Sequence, residues 1–182
     1  MPNLIFMVSR LICGWLSILL LIGCTKDSRV GLFEIFYPNN NFTIQAGLGG
    51  FFPIEKEWNQ VQTNFTFFLN ESGVEEDLIT GIRPVSARLT SNDPSLDFFF
   101  VEEVSVRICD VEEENCIDAD EAFYIDRLQG RANDVIDLLP TLVDFKDLIK
   151  GNRFKLELIF FLSANTPYNL AGRLDMTFEA VQ

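Results

Sequence analysis

Apolar side chains recur at every second position in four separate segments of this chain. The alternating residues are Phe42, Ile44 and Ala46; Val85, Ala87 and Leu89; Val104, Val106 and Ile108; and Leu174, Met176 and Phe178. Successive side chains of a strand point to opposite faces, so this period predicts half-buried strands. The residues between them are mostly polar, which favours an antiparallel sheet with one face toward water.

A fifth segment, residues 153–162, differs because both of its faces carry apolar residues. One face holds Phe154, Leu156, Leu158, Phe160 and Leu162, and the other becomes apolar at Ile159 and Phe161. We therefore expect its second half either to be covered on both sides or to form an exposed apolar surface. Turn-forming residues at 163–169 follow, and they predict a terminal hairpin over residues 153–179.

Two segments have helical spacing instead. Trp58, Val61, Phe65, Phe68 and Leu69 form the first set, and Leu142, Phe145, Leu148 and Ile149 form the second. Thr141 is placed to cap the second helix, and Gly151 lies just past its end. We interpret both segments as short helices that pack on the core.

These patterns predict a mainly β protein with two short helices. Many short strands separated by turn residues favour an antiparallel β-sandwich, either immunoglobulin-like or jelly-roll-like. At 182 residues the chain is long enough for one core. We expect a single domain over residues 31–182.

The N-terminus has the features of a secretory signal. Arg10 precedes an apolar run over residues 11–22, which ends in Gly23 and Cys24. Leu21, Ile22, Gly23 and Cys24 together resemble the bacterial lipobox, in which the cysteine carries the lipid after cleavage. We therefore expect a signal peptide at 1–23 and a lipidated Cys24 with a short tether at 24–30. An uncleaved anchor over residues 4–22, or secretion without lipid, are the alternatives.

Charge and composition exclude several kinds of function. The net charge of −13 argues against nucleic acid and against direct docking on anionic lipid. The absence of histidine removes Ser-His-Asp and Cys-His nucleophile pairs and imidazole-based zinc sites. The glycines at 47, 49 and 50 lack the spacing of a phosphate loop, and we expect a flexible turn there. The sequence thus predicts no enzyme, no catalytic residue and no cofactor.

Cys109 and Cys116 flank a strongly acidic segment. If Cys24 is lipidated and Cys13 is removed with the signal, these two remain in an oxidising compartment, which favours a disulfide between them. Calcium is the alternative, because the carboxylates at Asp110, Glu112, Glu114, Asp118 and Glu121 resemble an EF-hand loop. Asn115 stands where that loop has glycine, and the preceding residues alternate as a strand.

The aromatic residues separate two possible functions. Phe98, Phe99 and Phe100 cannot all point inward from one strand, so they indicate a turn, a second packed layer or an exposed patch. A sugar-binding platform would expose Trp58 or the tyrosines at 37, 124 and 168, and we expect Trp58 in the core. Exposure of these rings would favour a ligand-binding protein, whereas their burial beside an exposed apolar patch would favour an accessory subunit.

The chain also resembles small lipoproteins of Bacteroidota. The lipobox, Lys26 and Asp27 close behind Cys24, and the passage FFLNESGVEEDLITGIRPVSARLTS at 67–91 carry the resemblance. In that group, a lysine followed by two acids near the lipidated cysteine is similar to a surface-export signal. Here Ser28 stands where the second acid would be. The resemblance implies a β-sandwich lipoprotein at the outer membrane, anchored by its lipid.

Two functions follow as expectations. The first is an accessory or structural subunit that docks on an outer-membrane protein partner. The second is a ligand-binding lipoprotein, with glycans as a candidate ligand, that serves an uptake system. A fimbrial subunit is a third and weaker hypothesis.

Overall fold

The computed structural model describes residues 30–128 and 133–182. Residues 31–182 form one compact unit. The expected signal peptide at 1–23 and the lipidation site Cys24 lie outside the described residues. Within the two described ranges, no helix has the length and apolar character needed to cross a membrane.

The described chain forms eight strands and two short helices. The strands are β1 (Gly31–Ile44), β2 (Ile54–Gln62), β3 (Gly81–Ser91), β4 (Val101–Cys109), β5 (Glu121–Ile125), β6 (Val135–Pro140), β7 (Arg153–Leu162) and β8 (Leu170–Val181). The helices are α1 (Phe65–Ser72) and α2 (Lys146–Lys150), with short 3₁₀ turns at Glu76–Leu78 and Asp118–Asp120.

The strands pair in a nested, antiparallel order. β1 pairs with β8, β2 with β7, β3 with β6, and β4 with β5. The additional pairs β3–β8 and β4–β7 complete two four-stranded sheets, which we call sheet A (β1-β8-β3-β6) and sheet B (β2-β7-β4-β5). A short β5–β6 ladder joins them. This order is that of a jelly roll, so the predicted mainly β, antiparallel sandwich is confirmed.

Aromatic rings fill the space between the two sheets. Phe42 of sheet A contacts Phe160 of sheet B with ring centres 5.3 Å apart, and Tyr37 contacts Phe154 at 5.2 Å. The hydroxyl of Tyr37 donates to the carbonyl of Thr63 at 2.9 Å, which satisfies a buried polar group. Burial raises the pKa of Tyr37, so the ring stays neutral inside the core.

The first predicted helix is wrong over its first half. Trp58 and Val61 lie on strand β2, and the helix begins only at Phe65. A bulge between Trp58 and Val61 adds a residue to the strand. The bulge allows Trp58 and Val61, which are three residues apart, both to pack against the core. The apolar residues of this strand therefore have the spacing expected for a helix.

The second helix is shorter than predicted. It begins at Lys146, and the hydroxyl of Thr141 donates to the carbonyl of Glu121 instead of capping it. Leu142 belongs to the preceding connection, where its side chain is 86% exposed. Gly151 follows the last helical residue, as expected.

The predicted terminal hairpin is also wrong. β7 and β8 follow each other in sequence, but β7 pairs with β2 and β4, whereas β8 pairs with β1 and β3. Their connection therefore crosses from sheet B to sheet A. The turn residues at 163–169 are compatible with either arrangement.

The pairing places the connections at two opposite ends of the sandwich. At one end, which we call the helix end, the β2–β3 and β6–β7 connections meet through a bond from the amide of Thr63 to the carbonyl of Asn152. The β4–β5 connection and the start of β1 share this end. At the other end, the loop end, the connections at 45–53, 92–100 and 163–169 come together, as the bond from the Gly47 amide to the Thr166 carbonyl illustrates.

Gly172 of β8 is expected to tolerate no side chain. A Cβ at this position would lie 2.9 Å from the carbonyl oxygen of Thr90 and 2.7 Å from the ring of Phe42. We predict that Gly172→Ala lowers the free energy of unfolding by about 1–3 kcal/mol, measured by urea titration. Ala171→Ser, at the exposed neighbouring position, is the control. Equal stability of the two variants would contradict this packing.

Candidate functional site

The outward face of β7 runs from the helix end to the loop end. The inward residues of this strand belong to the core, so alternation turns Lys155, Glu157, Ile159 and Phe161 outward. The first three are buried, whereas Phe161 is 38% exposed. The sequence predicts that the second half of this strand is either covered on both sides or forms an exposed apolar surface. Ile159 is covered, whereas Phe161 is half-exposed.

A loop closed by a disulfide covers the first part of this face. Cys109 and Cys116 are joined, with their Cα atoms 5.5 Å apart, and we call residues 109–116 the stapled loop. The amide of Cys116 donates to Glu157 Oε1 at 3.0 Å, and Lys155 Nζ donates to the carbonyl of Glu114. The loop is thus attached to the sheet by side chains of β7 as well as by its disulfide.

Lys155 and Glu157 form a buried ion pair beneath the stapled loop. Their charged atoms are 2.9 Å apart, and both side chains are almost fully buried. The hydrogen bond to Glu157 raises the pKa of Lys155, so this ammonium group stays protonated. Each of the two side chains also holds a backbone group of the loop, which satisfies the pair on its outer side.

The carboxylates considered as calcium ligands do not converge in a group of three. They belong to Asp110, Glu112, Glu114, Asp118 and Glu121. Asp118 pairs with Arg107 at 2.6 Å, and Glu121 accepts from the hydroxyl of Ser105 at 2.6 Å. Among residues 30–128 and 133–182, the one group of three metal-binding side chains that converges is Cys109, Cys116 and Asp120. Both of its sulfurs are already in the disulfide.

A polar cleft lies at the helix end, beside the stapled loop. Its volume is about 770 Å³, and it is lined by Asp110 and Glu112 of the loop, Asn64 and Phe67 at the start of α1, and Arg153. This size is within the range of small-molecule sites. Its lining comes from three distant parts of the chain, so no local motif reveals it.

A second feature, at the loop end, is an exposed group of phenylalanines. Phe51 is 95% exposed and Phe52 is 81% exposed, and together with Phe161 they border a cavity of about 310 Å³. Glu103 lies on the same cavity, directly opposite Phe161 on the neighbouring strand β4. We call Phe51, Phe52 and Phe161, with the adjoining Glu103, the aromatic surface.

Hydrogen bonds to Thr166 hold the loop that presents Phe51 and Phe52. The amide of Leu48 donates to the Thr166 hydroxyl at 2.8 Å, and that hydroxyl donates to the carbonyl of Gln45 at 2.7 Å. The amide of Gly47 donates to the Thr166 carbonyl at 2.8 Å, and the Thr166 amide donates to the carbonyl of Leu48 at 2.9 Å. The turn expected at the glycines is present, but these bonds tie it to the neighbouring loop.

Gly50 brings this loop close to the end of β7. A Cβ on Gly50 would lie 2.7 Å from the carbonyl oxygen of Leu162, so only glycine allows the approach. The glycine therefore has a packing reason as well as a turn-forming one. Phe51 and Phe52 follow directly, and this contact determines where they leave the surface.

Several other aromatic residues are packed. Phe98 and Phe100 are buried on either side of a turn, and Phe99 between them is half-exposed and contacts Tyr168. The Tyr168 hydroxyl donates to the carbonyl of Asp97 at 2.7 Å. Trp58 is packed against the core, as expected. The described residues therefore offer no exposed tryptophan or tyrosine platform.

Comparisons with known proteins place the chain near several virus structures. It is similar to the infectious bursal disease virus VP2 subviral particle (8% identity, covering 85% of this chain and 33% of that one, TM-score 0.34). It is also similar to the human norovirus GI.7 Houston strain VLP (13% identity, 85% and 32%, TM-score 0.32) and to desmodium yellow mottle tymovirus (11% identity, 87% and 91%, TM-score 0.30).

These similarities are too weak to carry an argument about function. The chain spans about a third of the first two structures, and all three TM-scores are low. No family model and no curated protein matches the sequence. The assignment of the fold therefore rests on the strand pairing itself.

We predict that the buried pair under the stapled loop contributes far more than a surface pair. Glu157→Gln removes the nearest counter-charge of the buried Lys155 ammonium and leaves it only the more exposed carboxylate of Glu57, at 3.9 Å. It is therefore expected to cost about 3 kcal/mol of unfolding free energy, the lower end for breaking a buried pair. Asp137→Asn is the matched control, because it breaks the exposed Arg88–Asp137 pair and should cost at most about 1 kcal/mol. Urea titration measures both.

The double variant Lys155→Met/Glu157→Leu tests the interpretation further. Removing both charges leaves neither ion buried without its partner. The double variant should therefore lose less unfolding free energy than Lys155→Met and Glu157→Leu lose in sum. Similar costs for Glu157→Gln and Asp137→Asn would show that the pair does not hold the loop.

Proposed function

We propose that the protein is a lipid-anchored, non-enzymatic accessory subunit of an outer-membrane assembly, which docks a protein partner through the aromatic surface. One observation carries this proposal. Tyr37, Trp58 and Tyr168 pack in or against the core, and Tyr124 is of intermediate burial, whereas Phe51 and Phe52 lie in solvent on a loop held by Thr166. This is the combination expected for an accessory subunit.

Exposed phenylalanines are unfavourable unless something covers them. Transferring such a side chain from water into an apolar environment is favourable by about 1.5–3 kcal/mol. An exposed ring does not gain this free energy until a partner covers it. Two adjacent rings on an attached loop would lose little conformational freedom when they bind. Large exposed apolar patches on monomers commonly mark interaction surfaces.

The position of the aromatic surface suits an anchored protein. If Cys24 carries the lipid, only six residues separate it from Gly31, and a chain of that length reaches about 25 Å at most. Gly31 begins β1 at the helix end of the domain. The aromatic surface is at the loop end, so the partner would approach the domain from the end opposite the attachment point.

A ligand-binding lipoprotein that serves an uptake system is the second candidate. The cleft at the helix end favours it, because Phe67 is 60% exposed there beside Asn64 and Arg153. An exposed ring next to amide and charged groups suits a polyhydroxylated ligand such as a glycan.

Crosslinking in intact cells distinguishes the two functions. We expect mild crosslinking of the full-length protein to join it to an envelope protein, and Phe51→Ser/Phe52→Ser to reduce that product by about tenfold or more without lowering thermal stability, since both rings are exposed. Leu142→Ser, an equally exposed apolar residue at the helix end, is the matched control. Phe67→Ser addresses the cleft.

Each outcome has a defined meaning. Retention of the product in Phe51→Ser/Phe52→Ser would contradict docking through the aromatic surface. Loss of the product in Phe67→Ser alone would favour the cleft and the ligand-binding function. Retention of Cys24→Ala in the membrane pellet after a carbonate wash would contradict the proposed lipid anchor.

A further inference from the structure

We infer that the partner presents an apolar pocket bordered by lysine or arginine side chains, which face Glu103 when Phe51 and Phe52 enter the pocket. This inference rests on the proposed function and specifies the chemistry of the same surface. It follows from the charges that surround the three phenylalanines.

Glu103 is built into the rim of the aromatic surface. Its Cα pairs with that of Phe161 across the β4–β7 ladder, and a bulge precedes it between Val101 and Glu103. Side chains at paired positions on one face of a sheet are neighbours, so the carboxylate lies beside the half-exposed ring. Glu103 is itself exposed and lines the same cavity as Phe51 and Phe52.

A second carboxylate extends the negative rim. Glu55 of β2 pairs with Ile159, one position further along the outward face of β7. Among the residues that the structure describes, neither Glu103 nor Glu55 forms an ion pair with a lysine or arginine. Both charges therefore remain available to a cation supplied from outside the domain.

This arrangement disfavours the two other occupants of such a surface. Loops that insert into anionic membranes carry lysine or arginine beside their apolar residues, whereas this one has carboxylates. A symmetric dimer built on this surface would bring the carboxylates of both copies into one interface without a basic partner, which is repulsive. A basic rim on a different protein removes both conflicts and speeds association through charge attraction.

The test places a photocrosslinker at the surface. The full-length protein carries p-benzoylphenylalanine in place of Phe52, is crosslinked by light in intact cells, and the joined peptide is sequenced by mass spectrometry. We expect an apolar segment with lysine or arginine close to the adduct. Glu103→Lys should reduce the adduct by about fivefold or more and Glu103→Gln by less, because reversal adds repulsion to the lost attraction.

Glu113→Lys is the matched control, since it reverses an exposed acid of the stapled loop at the opposite end and should leave the yield unchanged. An unchanged yield in Glu103→Lys, or an adduct on a segment without basic residues, would overturn the inference while docking itself stands. An adduct on lipid or on a second copy of this chain would overturn it as well. Absence of any adduct at position 52 would contradict the proposed function.

Discussion

The pairing of β7 with β2 on one side and β4 on the other determines where the candidate functional residues lie. It buries one face of β7 in the core, where Phe160 meets Phe42, and turns the other face outward. Along that outward face, Lys155 and Glu157 lie toward the helix end and Phe161 lies toward the loop end. A shift of one residue in this register would exchange the two faces, so the ion pair and the aromatic surface both depend on it.

The two ends of this face meet opposite physical requirements. Toward the helix end, buried charges need partners, and the stapled loop supplies them through the amide of Cys116 and the carbonyl of Glu114. Toward the loop end, Phe161 lies beside Phe51 and Phe52, and all three remain at least partly in solvent. The stapled loop therefore satisfies the buried pair at one end of this face, whereas the other end keeps an apolar surface that a partner can cover.

Local patterns were sufficient for part of the fold, and their failures have physical reasons. Alternation correctly identifies parts of β1, β3, β4 and β8, because polar residues separate the apolar ones in each of these segments. The bulge after Trp58 gives β2 the apolar spacing of a helix. β7 and β8 are adjacent in sequence, which suggests a hairpin, but in the nested pairing they belong to different sheets. The proximity of Cys109 and Cys116 is apparent from spacing, but the contacts of their loop with Glu157 join residues 41 positions apart.

The aromatic surface could have been partly recognised. Phe51 and Phe52 follow a glycine-rich turn, outside any alternating segment, and such a position predicts exposure. The position of these two rings beside Phe161 and Glu103 could not be predicted from the sequence. It depends on the register of β4 with β7 and on the attachment of the loop by Thr166.

The fold holds Phe51 and Phe52 in solvent on a loop that is tied down by hydrogen bonds to Thr166. Amide hydrogen exchange of residues 45–53 in the purified protein tests this attachment most directly. We expect the amides of Gly47 and Leu48, which donate to Thr166, to exchange at least about a hundredfold more slowly than unprotected amides. Exchange of both amides at the unprotected rate would contradict it, because the rings would then belong to an unattached loop.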